Sequence, residues 1–337
     1  MPCNGQCFTV IQIHNLEEII VMKYIESLRE GERINEIYLC KTKQSALTKA
    51  GKPYENVILQ DKTGQLDAKI WDPGSMGIDD FDALDYVEVH GDVTVFNGQT
   101  QLSIKRARKV SEENVDPSNY LPCTDKNIDE MMTELLKFIA SVNNPYYKQI
   151  LTTLFVDDVN FAEAFKKHSA AKSVHHGFIG GLLEHTLSVT KLCDFYTKQY
   201  PILNRDLLIT SAICHDIGKV YELSDFPSNE YTDAGQLLGH IVMGSEMLSK
   251  IIATIPDFPT KQANELKHCI LAHHGELEYG SPKKPALIEA VALNFADNTD
   301  AKMETVMEIF KSNGTATSDQ WLGYNRFLES NIRRTTE

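Results

Sequence analysis

The residues of this sequence best suited to chemistry are histidines and aspartates in its second half. Two adjacent pairs, His215-Asp216 and His273-His274, accompany three single residues, His185, His240 and Asp297. Neutral imidazole and carboxylate groups are ligands that suit manganese, iron, cobalt and zinc ions. Any one of these histidines alone is typical of a surface or hydrogen-bonded residue. The set as a whole predicts a metal site inside a helical bundle.

Five helices are predicted to position these residues, because apolar residues recur at three- and four-residue spacing through this half. The first helix runs from about 181 to 197, the second begins near Asp206 and the third near Asp233. The pair His273-His274 closes a fourth helix, and Asp297 lies inside a fifth. Each helix therefore contributes one or two of the candidate ligands.

The first third of the chain shows the pattern of short strands. Strands are predicted at 34–41, 54–61, 66–71, 86–96 and 99–110. Asn97-Gly98 lies between the last two runs, and this dipeptide is the strongest short-range signal for a hairpin. A short helix is predicted from about 78 to 84, between the third and fourth strands. Five strands in this arrangement are the plan of an OB-fold, a small closed barrel that binds single strands or oligosaccharides.

The predicted fold class is a multidomain α and β protein with four segments. An N-terminal extension (1–31) precedes a five-stranded OB-fold β-barrel (32–110), and Met22 is an alternative start of translation. A linker at 111–126 follows, because this stretch holds two prolines and little apolar content. Residues 127–330 are predicted to form an all-α domain.

Composition excludes several classes of protein. With 337 residues and 42% hydrophobic content, the chain is too long and too apolar to be a disordered tail. Its 33 basic and 47 acidic residues give a net charge of −14, so nucleic acid must be bound locally rather than by an overall positive field. Seven scattered cysteines indicate no disulfide framework. No membrane span or signal peptide is recognisable, and a cytoplasmic location is predicted.

Five short strings resemble the HD-domain metal-dependent phosphohydrolases. They are GGLLEHT (180–186), ICHDIGK (213–219), LGH (238–240), AHHG (272–275) and NFAD (294–297). Together with the preceding OB-fold, the chain resembles the YhaM family of 3'-5' exoribonucleases. The two domains extend over most of the chain.

This resemblance implies a site with two divalent metal ions. The implied ligands of the first ion are His185, His215, Asp216 and Asp297; those of the second are His240, His273 and His274, with Asp216 bridging. Manganese is expected, with cobalt, iron or magnesium as alternatives. Neighbouring residues on a helix face about 100° apart, so one of the two adjacent histidines could instead contact a ligand without binding an ion itself.

The implied reaction is hydrolysis of phosphodiester bonds in single-stranded RNA, and also DNA, from the 3' end by a hydroxide that both ions activate. Asp216 and Lys219 are the implied catalytic residues, and the Lys219 ammonium would face the phosphate. The alternative for Lys219 is a solvated lysine at a helix end.

Nucleic-acid contacts are predicted on the OB-fold. Lys69 and Trp71 lie on the face opposite the apolar residues of the third strand, where a ring could stack on a base and an ammonium could meet a phosphate. For Trp71 the alternative is a core position over the barrel end. Four cations lie within five residues of the last strand: Lys105, Arg106, Arg108 and Lys109. They form either a phosphate-binding track or a protective charged edge strand.

Two other functions fit parts of the same pattern. The metal site could belong to a nucleotide phosphohydrolase or a cyclic-nucleotide phosphodiesterase, although small substrates need no OB-fold. The chain could instead be a non-catalytic regulator that binds nucleic acid and uses its helical domain as a scaffold. Homo-oligomerisation is left open by the sequence.

Overall fold

The computed structural model describes residues 22–172, 176–312 and 320–336. Its contacts divide the chain into two compact units, with the division between Val115 and Asp116. This division lies within the predicted linker. The extension that precedes Met22, including the question of the translational start, is outside the described residues.

The first unit is a closed five-stranded barrel. Its strands are β1 (Arg33–Leu47), β2 (Pro53–Asp61), β3 (Gly64–Ile70), β4 (Tyr86–Phe96) and β5 (Gln99–Val110), and the 3-10 helix Ile25–Ser27 precedes them. The strand order is β1-β2-β3-β5-β4, with β1 paired to both β2 and β4 and with β3 parallel to β5. The predicted OB-fold is confirmed by this order and register.

Alternation of side chains fills the barrel. In β3, Leu66, Ala68 and Ile70 are buried while the residues between them face outward. The turn from β4 to β5 has φ of 51° at Asn97 and 79° at Gly98, the left-handed conformations that a two-residue hairpin turn requires. The strand and hairpin predictions for this unit are therefore confirmed.

The helix predicted at about 78–84 is wrong. Ile78 forms a β-bridge with Ala107 of β5, and Asp79 donates its backbone N–H to the Ala107 carbonyl. Phe81 is buried in the barrel core, and Leu84 adopts φ of 74°, which a helix does not allow. Pairing of Ile78 with β5 determines the conformation of this segment.

The second unit is mainly helical. Its described α-helices are α1 (Ile128–Ser141), α2 (Pro145–Thr152), α3 (Val159–Lys167), α4 (Gly181–Gln199), α5 (Arg205–Cys214), α6 (Lys219–Glu222), α7 (Asp233–Thr254), α8 (Thr260–Ala272) and α9 (Ile288–Ser312). A π-helical turn (Thr153–Asp157) and 3-10 helices at Pro117–Asn119 and Leu277–Tyr279 also belong to it, whereas the 3-10 helix Glu112–Asn114 lies at the end of the first unit. None of the helices in the described ranges is long and apolar enough to cross a membrane.

Helices α4 and α5 form the centre of this unit. All ten residues of α4 from Gly181 to Thr190 except Ser188 are buried, and so is α5 from Leu207 to Cys214. Asn204 caps the start of α5 by accepting the Leu207 N–H, and Thr232 caps α7 in the same way through Gly235. A polar side chain on α4, or just after α5, therefore lies in a water-poor interior.

The prediction of an all-α domain at 127–330 needs a correction at its end. After α9, strands β6 (Trp321–Asn325) and β7 (Ser330–Arg333) form a two-stranded antiparallel sheet. β-Prone residues such as Trp321, Tyr324 and Ile332, with Gly323 at φ of 97°, favour this hairpin over a helical continuation.

Candidate metal centre

The helical unit brings all seven predicted ligands to one place. His185 comes from the second turn of α4 and Asp297 from the middle of α9, whereas the other five residues lie at helix ends or beside a kink. The pair His215-Asp216 follows α5 directly, and His273-His274 follows α8. His240 comes just after Gly239, where φ of 73° kinks α7. Elements far apart in sequence thus meet around one cluster.

Asp216 lies between two groups of imidazoles. Its Oδ2 atom is 3.3 Å from His215 Nε2 and 3.5 Å from His185 Nε2. Its Oδ1 atom is 3.4 Å from His240 Nε2 and 3.7 Å from His273 Nε2. Each carboxylate oxygen therefore faces a different group, which is the arrangement that a bridging ligand requires.

Three histidines are oriented by backbone carbonyls. His215 Nδ1 donates to Ala212 O at 2.7 Å, and His273 Nδ1 donates to Ile270 O at 2.7 Å. His274 Nδ1 donates to Tyr279 O at 2.8 Å. The last carbonyls of a helix have no intrahelical donor, so a histidine just beyond α5 or α8 can satisfy one. With the proton on Nδ1, each Nε2 presents a lone pair to the cluster.

His240 is held by Glu222. Its Nδ1 and its backbone N–H both donate to Glu222 Oε1 at 2.9 Å. Gly218 lets the segment after Asp216 approach the kink in α7, since a Cβ at Gly218 would lie 2.1 Å from His240 O. The kink, the glycine and the carboxylate together direct His240 Nε2 toward Asp216.

His185 is held by Asp300, one turn after Asp297 on α9. His185 Nδ1 donates to Asp300 Oδ2 at 2.7 Å, and Nε2 lies 3.2 Å from Asp297 Oδ1. His176 Nε2 donates to the same Asp300 oxygen at 3.0 Å and is itself buried. A Cβ at Gly181 would lie 2.1 Å from His176 O, so a glycine there permits the close packing of this segment on α4.

The protonation states suit cation binding. Burial, and then the neighbouring His274 and His215, hold the pKa of His273 well below its ordinary value, so this imidazole is neutral. Burial opposes ionisation of Asp216, but Lys219 and His215 hold its pKa well below the usual range. Burial would lower the pKa of His185, whereas its bonds to Asp297 and Asp300 outweigh that effect and raise it to about 10. A cation at His185 must therefore displace a proton.

The cluster passes a direct test of fit to a metal. Three buried atoms in it have no hydrogen-bond partner among the described residues: Asp216 Oδ1, His240 Nε2 and His273 Nε2. Buried polar atoms are normally satisfied, and these three converge on one another. The ligand atoms of His240, His273 and His274 lie within 4.8 Å of one another, as do those of His185, His215 and Asp216. Two groups of lone-pair donors around one carboxylate fit divalent cations.

Comparison with known proteins identifies the family. Residues 182–302 match the family model described as HD domain. The chain is 38% identical over 274 residues to the 3'-5' exoribonuclease YhaM of Bacillus subtilis strain 168, with 81% of this chain and 86% of that protein covered. The chain belongs to the YhaM family. The YhaM proteins of a Geobacillus species and of Listeria innocua are 36% and 34% identical, over 82% and 83% of this chain and 84% and 89% of theirs. The family predicted from the five motif strings is confirmed, and so is an HD-type hydrolase as its catalytic unit.

Solved structures similar to part of the chain include two low-scoring matches. The second OB-fold domain of replication protein A from Methanococcus maripaludis is 17% identical, with 28% of this chain and 100% of that chain covered and a TM-score of 0.22. Asparaginyl-tRNA synthetase from Pyrococcus horikoshii is 12% identical, with 40% and 36% covered and a TM-score of 0.23. The OB-fold of this YhaM-family chain is assigned from its strand order, not from these scores.

Lys219 does not extend into solvent as a helix-end lysine would. Its Nζ atom lies 2.7 Å from Asp216 Oδ2, and its side chain is mostly buried. Burial would lower its pKa, but the Asp216 carboxylate outweighs that effect and raises it, so the ammonium is charged. Since an ammonium has three donors, one bond to Asp216 leaves donors for a phosphate. The role predicted for Lys219 in this YhaM-family chain stays a prediction.

Three residues of the centre lie outside the predicted ligand set. Asp300 and Glu222 orient His185 and His240, and His176 reinforces Asp300. Asp300 could have been found, because it follows Asp297 by one helical turn and so lies on the same face. For Glu222 and His176 no comparable spacing signal exists, since their roles depend on the kink in α7 and the packing of the segment before α4.

The nucleic-acid contacts predicted at the end of β3 in this YhaM-family chain lie on the outside of the barrel. Trp71 is 53% exposed and stacks on Tyr54 with ring centroids 5.2 Å apart, so the alternative of a core position is wrong. Lys69 Nζ is 2.9 Å from Asp67 Oδ1 and 2.5 Å from Asn56 Oδ1, so a phosphate must compete with both.

The four cations of β5 are all exposed, and a β-bulge accounts for two of them. His90 of β4 pairs with Arg106 and Gly91 with Ile104, so Lys105 is an extra residue on β5. The bulge brings Lys105 and Arg106 out together, although consecutive strand residues normally face opposite sides. Both line a shallow depression of about 380 Å³. Lys109 pairs with Asp85 at 2.8 Å, and Arg108 lies opposite Glu88.

The charged run is not a protective edge strand. In the closed barrel β5 lies between β3 and β4, so it has a neighbour on each side. The alternative in which these charges protect an open edge is therefore wrong. Binding of nucleic acid by these residues stays a prediction.

Proposed function

We propose that this chain removes nucleotides one at a time from the 3' end of single-stranded RNA, and also acts on single-stranded DNA, with two divalent cations in the helical unit. The observation that supports the proposal most is the position of Asp216, whose two oxygens face two separate groups of imidazoles. Asp216 would bridge the two cations. His185, His215 and Asp297 complete one site, and His240, His273 and His274 complete the other.

The cations would supply activation of water and neutralisation of charge on the phosphate. The residues of the chain would hold the cations in position. Glu222 and Asp300 fix the imidazoles that they contact, so little reorganisation is needed when cations bind. We propose Mn²⁺ as the native ion, with Co²⁺, Fe²⁺ or Mg²⁺ as alternatives, because the donor set mixes imidazoles with carboxylates. The buried thiols of Cys40, Cys193, Cys214 and Cys269 support the proposed cytoplasmic location.

The proposed role of Lys219 is to bind the scissile phosphate. Replacing Lys219 with glutamine should lower kcat on RNA about tenfold with a smaller change in KM, because a charged hydrogen bond to the transition state is lost. Steady-state kinetics on labelled RNA measures both constants. Lys191→Gln, an exposed lysine of α4 paired with Glu134, is the matched control and should leave kcat unchanged. An unchanged kcat in the Lys219 variant would contradict the role.

The barrel would hold the RNA through stacking and local charge. The exposed Trp71 ring stacks on the half-buried Tyr54 ring, and the cations of β5 lie on the same unit. Stacking on exposed rings tolerates any base sequence, as an exonuclease requires. With a net charge of −14, the chain has low non-specific affinity for RNA, so this local surface is expected to be needed on long substrates.

The proposed function is tested with single strands labelled at the 5' end. Purified full-length chain is incubated with a 20-nucleotide RNA or its DNA equivalent, with Mn²⁺ or with excess chelator. We expect a ladder that shortens from the 3' end, only with Mn²⁺. Hydrolysis of mononucleotides or cyclic nucleotides without any ladder would instead identify a nucleotide phosphohydrolase or phosphodiesterase. Absence of all hydrolysis under every metal tested would favour the non-catalytic regulator.

A further inference from the structure

The hairpin β6–β7 at the end of the chain exposes two large aromatic rings. Trp321 is 66% exposed and Tyr324 is 63% exposed. A two-stranded hairpin alone is at best marginally stable in water, so rings of this size on its surface need an explanation. Nothing in the metal centre or the barrel uses them.

A β-bulge places both rings on one face of the hairpin. Trp321 pairs with Arg333 and Tyr324 with Asn331, so β6 uses one more residue than β7 between the two pairs. The irregularity coincides with Gly323 at φ of 97°. In a regular strand, residues three apart point to opposite sides; the extra residue brings the two rings to the same side. The four paired residues therefore share one surface, the hairpin face: Trp321, Tyr324, Asn331 and Arg333.

The other side of the hairpin packs against the protein. Leu322, Ile332 and Arg334 are only partly exposed. Arg334 donates to the Phe310 carbonyl, and its guanidinium lies 5.0 Å from the Phe310 ring centroid at the end of α9. This docking leaves the hairpin face directed away from α9.

The chemistry of the hairpin face fits a single-stranded nucleic acid. The described segment 320–336 has three arginines and one glutamate, in a chain whose net charge is −14. Arg333 lies 5.9 Å from the Trp321 ring centroid, so a guanidinium and a ring are presented together. Exposed rings bind bases by stacking, and arginines beside them bind phosphate. The four residues of the hairpin face include a cation and no carboxylate, which suits a polyanion.

We propose that the hairpin face binds the single-stranded RNA substrate by stacking bases on Trp321 and Tyr324 and pairing Arg333 with a phosphate. The proposal rests on the proposed function, which supplies RNA as the substrate. Asp297 of the metal centre and Phe310, where the hairpin docks, lie on the same helix and are separated by about 20 Å along its axis. The hairpin face therefore holds RNA several nucleotides away from the bond that is cut.

The test compares long and short substrates. Full-length chain carrying W321A and Y324A together is assayed for binding of a fluorescein-labelled 20-nucleotide RNA in chelator, and for hydrolysis of that RNA and of a dinucleotide in Mn²⁺. We expect the Kd and the KM for the long RNA to rise about tenfold or more, because stacking on each ring is lost. The kcat on long RNA and the kcat/KM on the dinucleotide should stay within twofold. The double variant W321F/Y324F retains the rings and should bind as the wild type does. Tyr200→Ala, an exposed ring at the end of α4, is the matched control.

A second variant covers the case in which the double alanine change unfolds the hairpin. R333Q should lower the salt dependence of RNA binding by about 0.7 in the slope of log K against log salt, as one lost phosphate contact does for a single strand. An unchanged Kd in W321A/Y324A overturns the proposal, and a simultaneous loss of a dimer in light scattering would show an interface between copies instead. Equal losses on RNA and dinucleotide would also overturn it. If the wild type binds RNA but hydrolyses none, the proposed function fails. The Kd of W321A/Y324A for RNA then still shows whether the hairpin face binds RNA.

Discussion

The D216N variant is expected to lose hydrolysis of RNA by roughly four orders of magnitude, since removing a bridging ligand removes several kcal/mol of transition-state stabilisation. Asparagine has nearly the shape of aspartate, but its amide nitrogen is a donor and cannot bind a cation. Each oxygen of Asp216 faces one group of imidazoles, and asparagine keeps a single, uncharged oxygen, so the bridge between the groups is lost. The variant also leaves the Lys219 ammonium without its carboxylate.

Binding of Mn²⁺ separates this effect from simple misfolding. Isothermal titration should find two sites in the wild type and none of comparable affinity in D216N, while circular dichroism retains the helical spectrum. D297N is the matched control: Asp297 lies 3.2 Å from His185 Nε2 and belongs to one group only. It should lose one cation and keep the other. Retention of both cations by D216N would rule out a bridge at Asp216.

Most of the helices and strands could be predicted from the sequence because they depend on local pattern, whereas the ligand set was implied by the resemblance to the HD-domain phosphohydrolases and stays a prediction. Helix α4 was predicted at about 181 to 197 and ends at Gln199, since its apolar period is strong. The turn at Asn97-Gly98 has a single favourable geometry, so the last two strands were placed without tertiary information. Four of the five motif strings lie near a helix end or kink, whereas NFAD lies inside α9.

What could not be predicted depends on contacts between distant segments. The segment at 78–84 has helical spacing, yet its partner is Ala107 in a strand that only the closed barrel brings beside it. The exposure of Trp71 depends on Tyr54, its stacking partner from another strand. The orientation of His240 depends on Glu222, which reaches it only because α7 kinks at Gly239. These features follow from packing rather than from period, so a single sequence does not contain a direct signal for them.

The second large effect is expected at Asp300, a residue that positions a ligand without being one of the predicted ligands. Its Oδ2 atom accepts hydrogen bonds from His185 Nδ1 and His176 Nε2, at 2.7 and 3.0 Å. Replacing Asp300 with alanine frees the His185 ring to rotate and removes the acceptor that holds a proton on Nδ1 while Nε2 binds the cation. Affinity for the cation at His185 should fall up to about a hundredfold, and RNA hydrolysis should fall with it unless Mn²⁺ is raised.

Titration with Mn²⁺ distinguishes a positioning role for Asp300 from general damage to the site. D300A should lower the affinity for the cation at His185 and leave the affinity for the other cation unchanged. D300N should recover part of the lost affinity, because its amide oxygen can still accept a hydrogen bond from His185. E222A is the matched variant for the other group, since Glu222 orients His240 in the same way. E222A should lower the affinity for the cation whose binding D300A leaves unchanged. If D300A and E222A weaken the same cation, or if high Mn²⁺ fails to restore hydrolysis by D300A, the assignment of Asp300 and Glu222 to separate sites around Asp216 is wrong.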